Sequence, residues 1–131
     1  MTTGLGATHI LLVDDDELVL SMLRTVLERA GYLVDAAADG AEALRLFDPA
    51  RHLLVITDIV MPVMEGVETI TALRARAPRI PIIAISGGGR IGPDDYLAWV
   101  RRCGVTHTFA KPVRRQVLLD AVAELVGAPV P

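Results

Sequence analysis

The sequence predicts an α/β domain in which helices cover both faces of a parallel five-stranded sheet. Short apolar runs alternate with amphipathic stretches five times along the chain. The connections between them are short, which favours parallel neighbours joined by helical crossovers. The apolar runs are nearly uninterrupted, as strands are when both faces of their sheet are covered. With 131 residues, the chain is long enough for one core and too short for two ordinary domains. The expected domain is the whole of 1–131, with its core over about 8–126 and short loose tails.

Thr8 to Val13 (THILLV) reads as the first strand and runs into Asp14-Asp15-Asp16. A helix is expected from about Glu17 to Ala30. Val19, Met22, Leu23, Val26, Leu27 and Ala30 form its apolar stripe, Asp16 can cap it, and Gly31 can end it with a positive φ. Tyr32 to Ala38 is a weaker strand, and a short helix over Ala41 to Phe47 stops at Asp48-Pro49. Leu53 to Thr57 is the third strand, ending in Asp58. Met61 to Gly66 reads as a loop and Val67 to Ala77 as a helix. Ile80 to Ile85 is the fourth strand, ending at Ser86. The loop Gly87 to Pro93 leads to a helix from Asp94 to about Cys103. Thr106 to Ala110 is the fifth strand, ending at Lys111-Pro112. The last helix, Val113 to Val126, carries the stripe Val113, Val117, Leu118, Ala121, Val122 and Leu125.

Composition narrows the function classes. Hydrophobic residues make up 52% of the chain, which suits a filled core. The formal net charge of −3 has both signs interspersed and offers no basic footprint for nucleic acid. The single cysteine, Cys103, permits no internal disulfide and no cysteine-based metal cage. No apolar run reaches membrane-spanning length, and the first residues lack a signal peptide's pattern, so a cytoplasmic setting is expected.

In open sheets of this kind, ligands bind outside the carboxyl ends of the strands, where the strand order reverses. The first strand ends in Asp14 and Asp15, the third in Asp58, the fourth in Ser86 and the fifth in Lys111. Strand order 2-1-3-4-5 would bring these groups side by side. Three carboxylates in one cleft repel one another unless a cation joins them, and an oxygen site that keeps several waters suits Mg²⁺. A metal and a lysine together neutralise a phosphoryl group, and a carboxylate can act as the nucleophile that receives it. His9, His52 and His107 all lie near strand starts, on the opposite rim, and are not expected to take part.

The motifs Val13-Asp14-Asp15-Asp16, Ile56-Thr57-Asp58-Ile59-Val60-Met61-Pro62, Ile85-Ser86 and Lys111-Pro112, in this order and spacing, resemble a response-regulator receiver domain of two-component signalling. The likeness runs over roughly residues 8–126 and implies the CheY-like, flavodoxin-like fold. It implies Asp58 as phosphoacceptor, Asp14 and Asp15 as ligands for Mg²⁺ or Mn²⁺, and the backbone carbonyl of Val60 as a further ligand. Ser86 and Lys111 would hold phosphoryl oxygens, and the Lys111-Pro112 peptide would be cis, aiming the lysine inward. The implied donor is a phosphohistidine on a sensor histidine kinase or a histidine phosphotransfer protein. The downstream partner would be a protein target.

Two positions depart from the family pattern. Thr108 stands where an aromatic switch residue is usual, with Phe109 expected on the other side of the strand. The Gly87 to Pro93 loop looks a few residues long, and its ordering around Ser86 is expected to carry the switch. Neither Val60 nor Gly88 offers a polar side chain to guide an attacking water, so a persistent phosphorylated state is expected. Leu18, off the buried stripe near the acidic cluster, is a candidate kinase-docking contact. Leu119 and Trp99 are candidates for a dimer or target face on the last two helices. With no output sequence after the last helix, a stand-alone receiver is expected. A haloacid-dehalogenase-type phosphatase built on Asp14-Asp15-Asp16 would leave Asp58 without a role, and a pseudo-receiver would not need the full set of acids, Ser86 and Lys111.

Overall fold

The computed structural model describes residues 8–58, 63–86 and 104–127, with the side chains of 63–67 and 86 excluded. The five strands are β1 (His9–Val13), β2 (Leu33–Ala37), β3 (His52–Asp58), β4 (Ile82–Ser86) and β5 (His107–Ala110). They form one parallel sheet in the order β2-β1-β3-β4-β5. The described helices are α1 (Glu17–Arg29), α2 (Gly40–Leu46), α3 (Val63–Arg76) and α4 (Arg115–Val126).

Alternation along the strands divides the interior in two. Ile10, Leu12, Leu54, Ile56, Ile83 and Ile85 face Leu23 and Leu27 of α1 and Leu118 and Val122 of α4. Leu11, Val13, Val55 and Ile82 face Ala43 of α2, the adjoining Phe47, and Ile70 and Leu73 of α3. Consecutive strand residues such as Leu11 and Leu12, or Ile82 and Ile83, are therefore both fully buried. This explains the unbroken apolar runs.

Asp16 caps α1, accepting from the amides of Leu18 and Val19, and Gly31 follows the helix with φ 105°. Asp39 caps α2 by accepting from the Glu42 amide at 2.7 Å, while the Glu42 carboxylate accepts from the Ala38 amide at 3.3 Å. The pair resembles a capping box, with an acid in the Ser/Thr position and the Glu reaching the amide one residue before the cap. Helix α3 starts at Val63 rather than Val67, so four residues of the expected loop are helical. Pro62 directly precedes them, and proline favours the start of a helix. Helix α4 starts at Arg115, two residues later than Val113. The expected Asp94 to Cys103 helix and Gly87 to Pro93 loop lie outside the described residues, as do Val60 and Trp99.

Three surface expectations are corrected. Met22 and Val117, read as buried stripe positions, are 55% and 42% exposed. Leu119, read as an outward residue, is half-buried against the core and shares a groove with Val26 of α1 and with Ala30, which follows that helix. Leu119 and Val117 sit on opposite flanks of the α4 stripe, and α1 packs along the Leu119 flank.

Candidate functional site

The strand order reverses between β1 and β3: the chain leaves β1 towards β2 and later returns on its other side to form β3. Val13 pairs with Thr57, so the next residues, Asp14 and Asp58, end adjacent strands at the same level. Both carboxylates are buried, whereas Asp15 is exposed. One oxygen from each of Asp14, Asp15 and Asp58 lies within 4.8 Å of the others. The third acid of the run, Asp16, is spent on capping α1, and its backbone amide donates to Asp14 Oδ1 at 2.9 Å.

Lys111 follows β5, two strands from β3, and its Lys111-Pro112 peptide is cis. Its Nζ reaches back to lie 3.0 Å from Asp14 Oδ2 and 3.1 Å from Asp58 Oδ2. Burial pulls the lysine's pKa down, but its hydrogen bonds to Asp14 and Asp58 and their charges outweigh this and hold it above its ordinary value. Burial pushes the Asp14 carboxyl up, with the Asp58 charge adding to it. The Asp16 amide and Lys111 only partly offset that rise.

Three carboxylates and one ammonium carry a formal charge of −2 between them. The donors are all hard oxygens, with one member open to solvent. Such a set fits a hydrated divalent cation of the Mg²⁺ type better than a soft metal.

The other expected site residues are placed unevenly. Ser86 ends β4 next to β3, as its position in the sequence implies, and its side chain lies outside the described residues. Thr108 is exposed on β5. Phe109 is half-buried against the α1 and α4 core and stacks on His107, with ring centroids 6.0 Å apart. Leu18 is 80% exposed in the first turn of α1. Sequence reasoning missed an apolar groove of about 300 Å³ between Val19, Met22 and Leu23 of α1 and Lys111, Pro112 and Val113. Met22 was the available signal, a residue on the stripe's edge one turn below Leu18.

Residues 10–123 match the family model for the response regulator receiver domain. The chain belongs to the response-regulator receiver family. The receiver is 41% identical over 106 residues to the transcriptional regulatory protein PrrA of Mycobacterium tuberculosis, covering 74% of this chain and 46% of PrrA. It is 29% identical to the chemotaxis protein CheY of Halobacterium salinarum, covering 93% of this chain and 99% of CheY. The receiver thus spans less than half the length of PrrA and nearly the whole of the Halobacterium salinarum CheY. Among solved structures it resembles chemotaxis protein CheY4 of Vibrio cholerae, with TM-score 0.80 and 31% identity over 92% of this chain and 99% of that one. A receiver domain from Clostridium thermocellum superposes with TM-score 0.82 at 27% identity, over 91% and 94% of the two chains. The chain is a signalling domain of the two-component type, with the CheY-like fold. Among the described residues, no helix is long and apolar enough to cross a membrane.

Proposed function

We propose that this receiver accepts a phosphoryl group on Asp58 from a phosphohistidine of a sensor kinase or phosphotransfer protein, and that the modification switches a protein partner. The observation that carries this reading is the Lys111 ammonium, held between two buried carboxylates at the point where the strand order reverses. A carboxylate oxygen of Asp58 attacks phosphorus and forms an acyl phosphate. The phosphorus–nitrogen bond of the donor breaks, and the released imidazole takes up a proton. Lys111 is within reach of Asp58 and turns its charge to a phosphoryl oxygen as the carboxylate gives up its own. Asp14, Asp15, Asp58 and the Val60 carbonyl are the assigned holders of a Mg²⁺ or Mn²⁺ ion. When bound, that ion supplies positive charge to the phosphoryl oxygens. Ser86, on the strand beside β3, is assigned a hydrogen bond to the phosphoryl group. Leu18, with the exposed Met22 and the groove beside Lys111, is assigned to donor docking, because it places an apolar contact next to the acceptor.

The test is intact-mass measurement after treatment with acetyl phosphate, with and without Mg²⁺, beside an Asp58→Asn protein. One added phosphoryl group that requires both Mg²⁺ and Asp58 is the expected result, and its decay measures the lifetime. No addition under any condition leaves a binding module. Phosphate release that depends on Asp14 and not Asp58 supports the phosphatase.

A further inference from the structure

The opposite end of β3 carries a second polar arrangement, built on His52. Its side chain is fully buried. Nδ1 accepts from the Asp48 amide at 3.0 Å, so that nitrogen carries no proton. The ring's single proton is then on Nε2, which donates to Asp35 Oδ2 at 2.7 Å. Asp35 lies on β2 and His52 on β3, with β1 between them. This bond therefore crosses a whole strand. The Asp48 carbonyl in turn accepts from the His52 amide at 2.8 Å, so the turn between α2 and β3 is closed from both sides.

Among the described residues, Asp35 is the acid whose hydrogen bond and charge act on the ring. Phe47 stacks on it with centroids 5.7 Å apart, and the Arg76 guanidinium lies over the Phe47 ring, 5.2 Å from its centroid. His9 on β1 meets it edge-on at 6.3 Å. The Asp48 carboxylate is directed to the Ala50 amide at 2.9 Å. Among the described residues, Asp35 is the group that favours an imidazolium, and its Oδ2 is already paired with Arg51 at 3.1 Å. A second proton on the ring would have to sit on Nδ1, where it meets the Asp48 N–H donor to donor, with the new charge sealed from water.

We propose that His52 is a pH-sensitive strap, which as a neutral imidazole ties the start of β3 across β1 to β2 and closes the α2–β3 turn, and whose protonation opens that turn. Burial holds the His52 imidazole below its ordinary value, and Arg51 and His9 act in the same direction against the opposing pull of Asp35. A histidine whose folded value is depressed contributes stability that is complete above the unfolded value of about 6.5. That contribution is lost as pH falls from there towards the folded value. The strap is thus closed at neutral pH and released in acid.

Imidazole ¹⁵N NMR and amide hydrogen exchange on the whole chain test this. The expected result is the Nε2–H tautomer at pH 7.5, a Asp48 amide protected there, and a loss of that protection of tenfold or more as His52 titrates, after correction for intrinsic exchange. His9→Gln keeps this loss, whereas His52→Gln abolishes it. An Nδ1–H tautomer, an imidazolium that persists above pH 7, or Asp48 protection unchanged through the His52 titration overturns the proposal. All three readouts come from the unaltered protein, so they decide it even where His52→Gln fails to fold.

Discussion

The two ends of β3 treat charge in opposite ways. At the carboxyl end, Asp58 and Asp14 share one lysine, and Asp15 adds further negative charge at the surface. At the amino end, both nitrogens of His52 have protein partners, and the acid it bonds is itself neutralised by Arg51. The strand between them is the same buried run, Leu54 to Thr57. The lesson is that the candidate binding end gathers several like charges around one lysine, whereas the structural fastening pairs each nitrogen of its ring with a protein partner.

Three changes sharpen or break that contrast. The largest effect is expected at the fastened end. Phe47→Ala removes a buried ring that touches His52, Arg76 and the α2–α3 core, and should cost about 3–5 kcal/mol of stability. Urea unfolding measures it. Mg²⁺-dependent phosphorylation should survive at temperatures where the variant stays folded; its loss in the folded variant would show that the two ends are not independent.

Asp14→Asn acts at the other end, with an intermediate effect and a distinctive sign. A carboxyl whose folded value is raised contributes stability that is lost as pH rises through that value, so ionised Asp14 burdens the metal-free fold at neutral pH. The variant should unfold at a higher urea concentration than the unaltered protein when metal is absent. Added Mg²⁺ at about a hundred times its Kd should stabilise the unaltered protein by about 2.7 kcal/mol. The variant should gain far less. A variant that is less stable without metal would refute the idea that ionised Asp14 burdens the metal-free fold.

The smallest effect serves as a control. The Tyr32 hydroxyl donates to the Gly127 carbonyl at 3.1 Å, joining the start of β2 to the end of α4. Tyr32→Phe should cost about 0.5–1.5 kcal/mol and alter neither phosphorylation nor the exchange of the Asp48 amide.

Much of the candidate site was legible before any coordinates. Strand-end position is a local property, so the alternation of runs and the residue that ends each one placed Asp14, Asp58, Ser86 and Lys111 on one rim and the histidines on the other. The start of α3 was misread because the pattern weighed Met61 to Gly66 as turn residues and gave too little weight to Pro62 as a helix opener. The flanks of the helices were also misread. Periodicity defines the centre of a stripe, but which edge is covered depends on the neighbouring helix, and so Met22 and Val117 emerged at the surface while Leu119 turned inward.

By itself the sequence determined the order of elements, two covered sheet faces and the chemical identity of the carboxyl rim, because these follow from short-range pattern and from the rule for parallel sheets. Only the tertiary structure decided that Lys111 reaches both Asp14 and Asp58, and that His52 fastens to Asp35 across an intervening strand. Those pairings depend on strand register and side-chain reach between segments far apart in the chain, which no local pattern encodes.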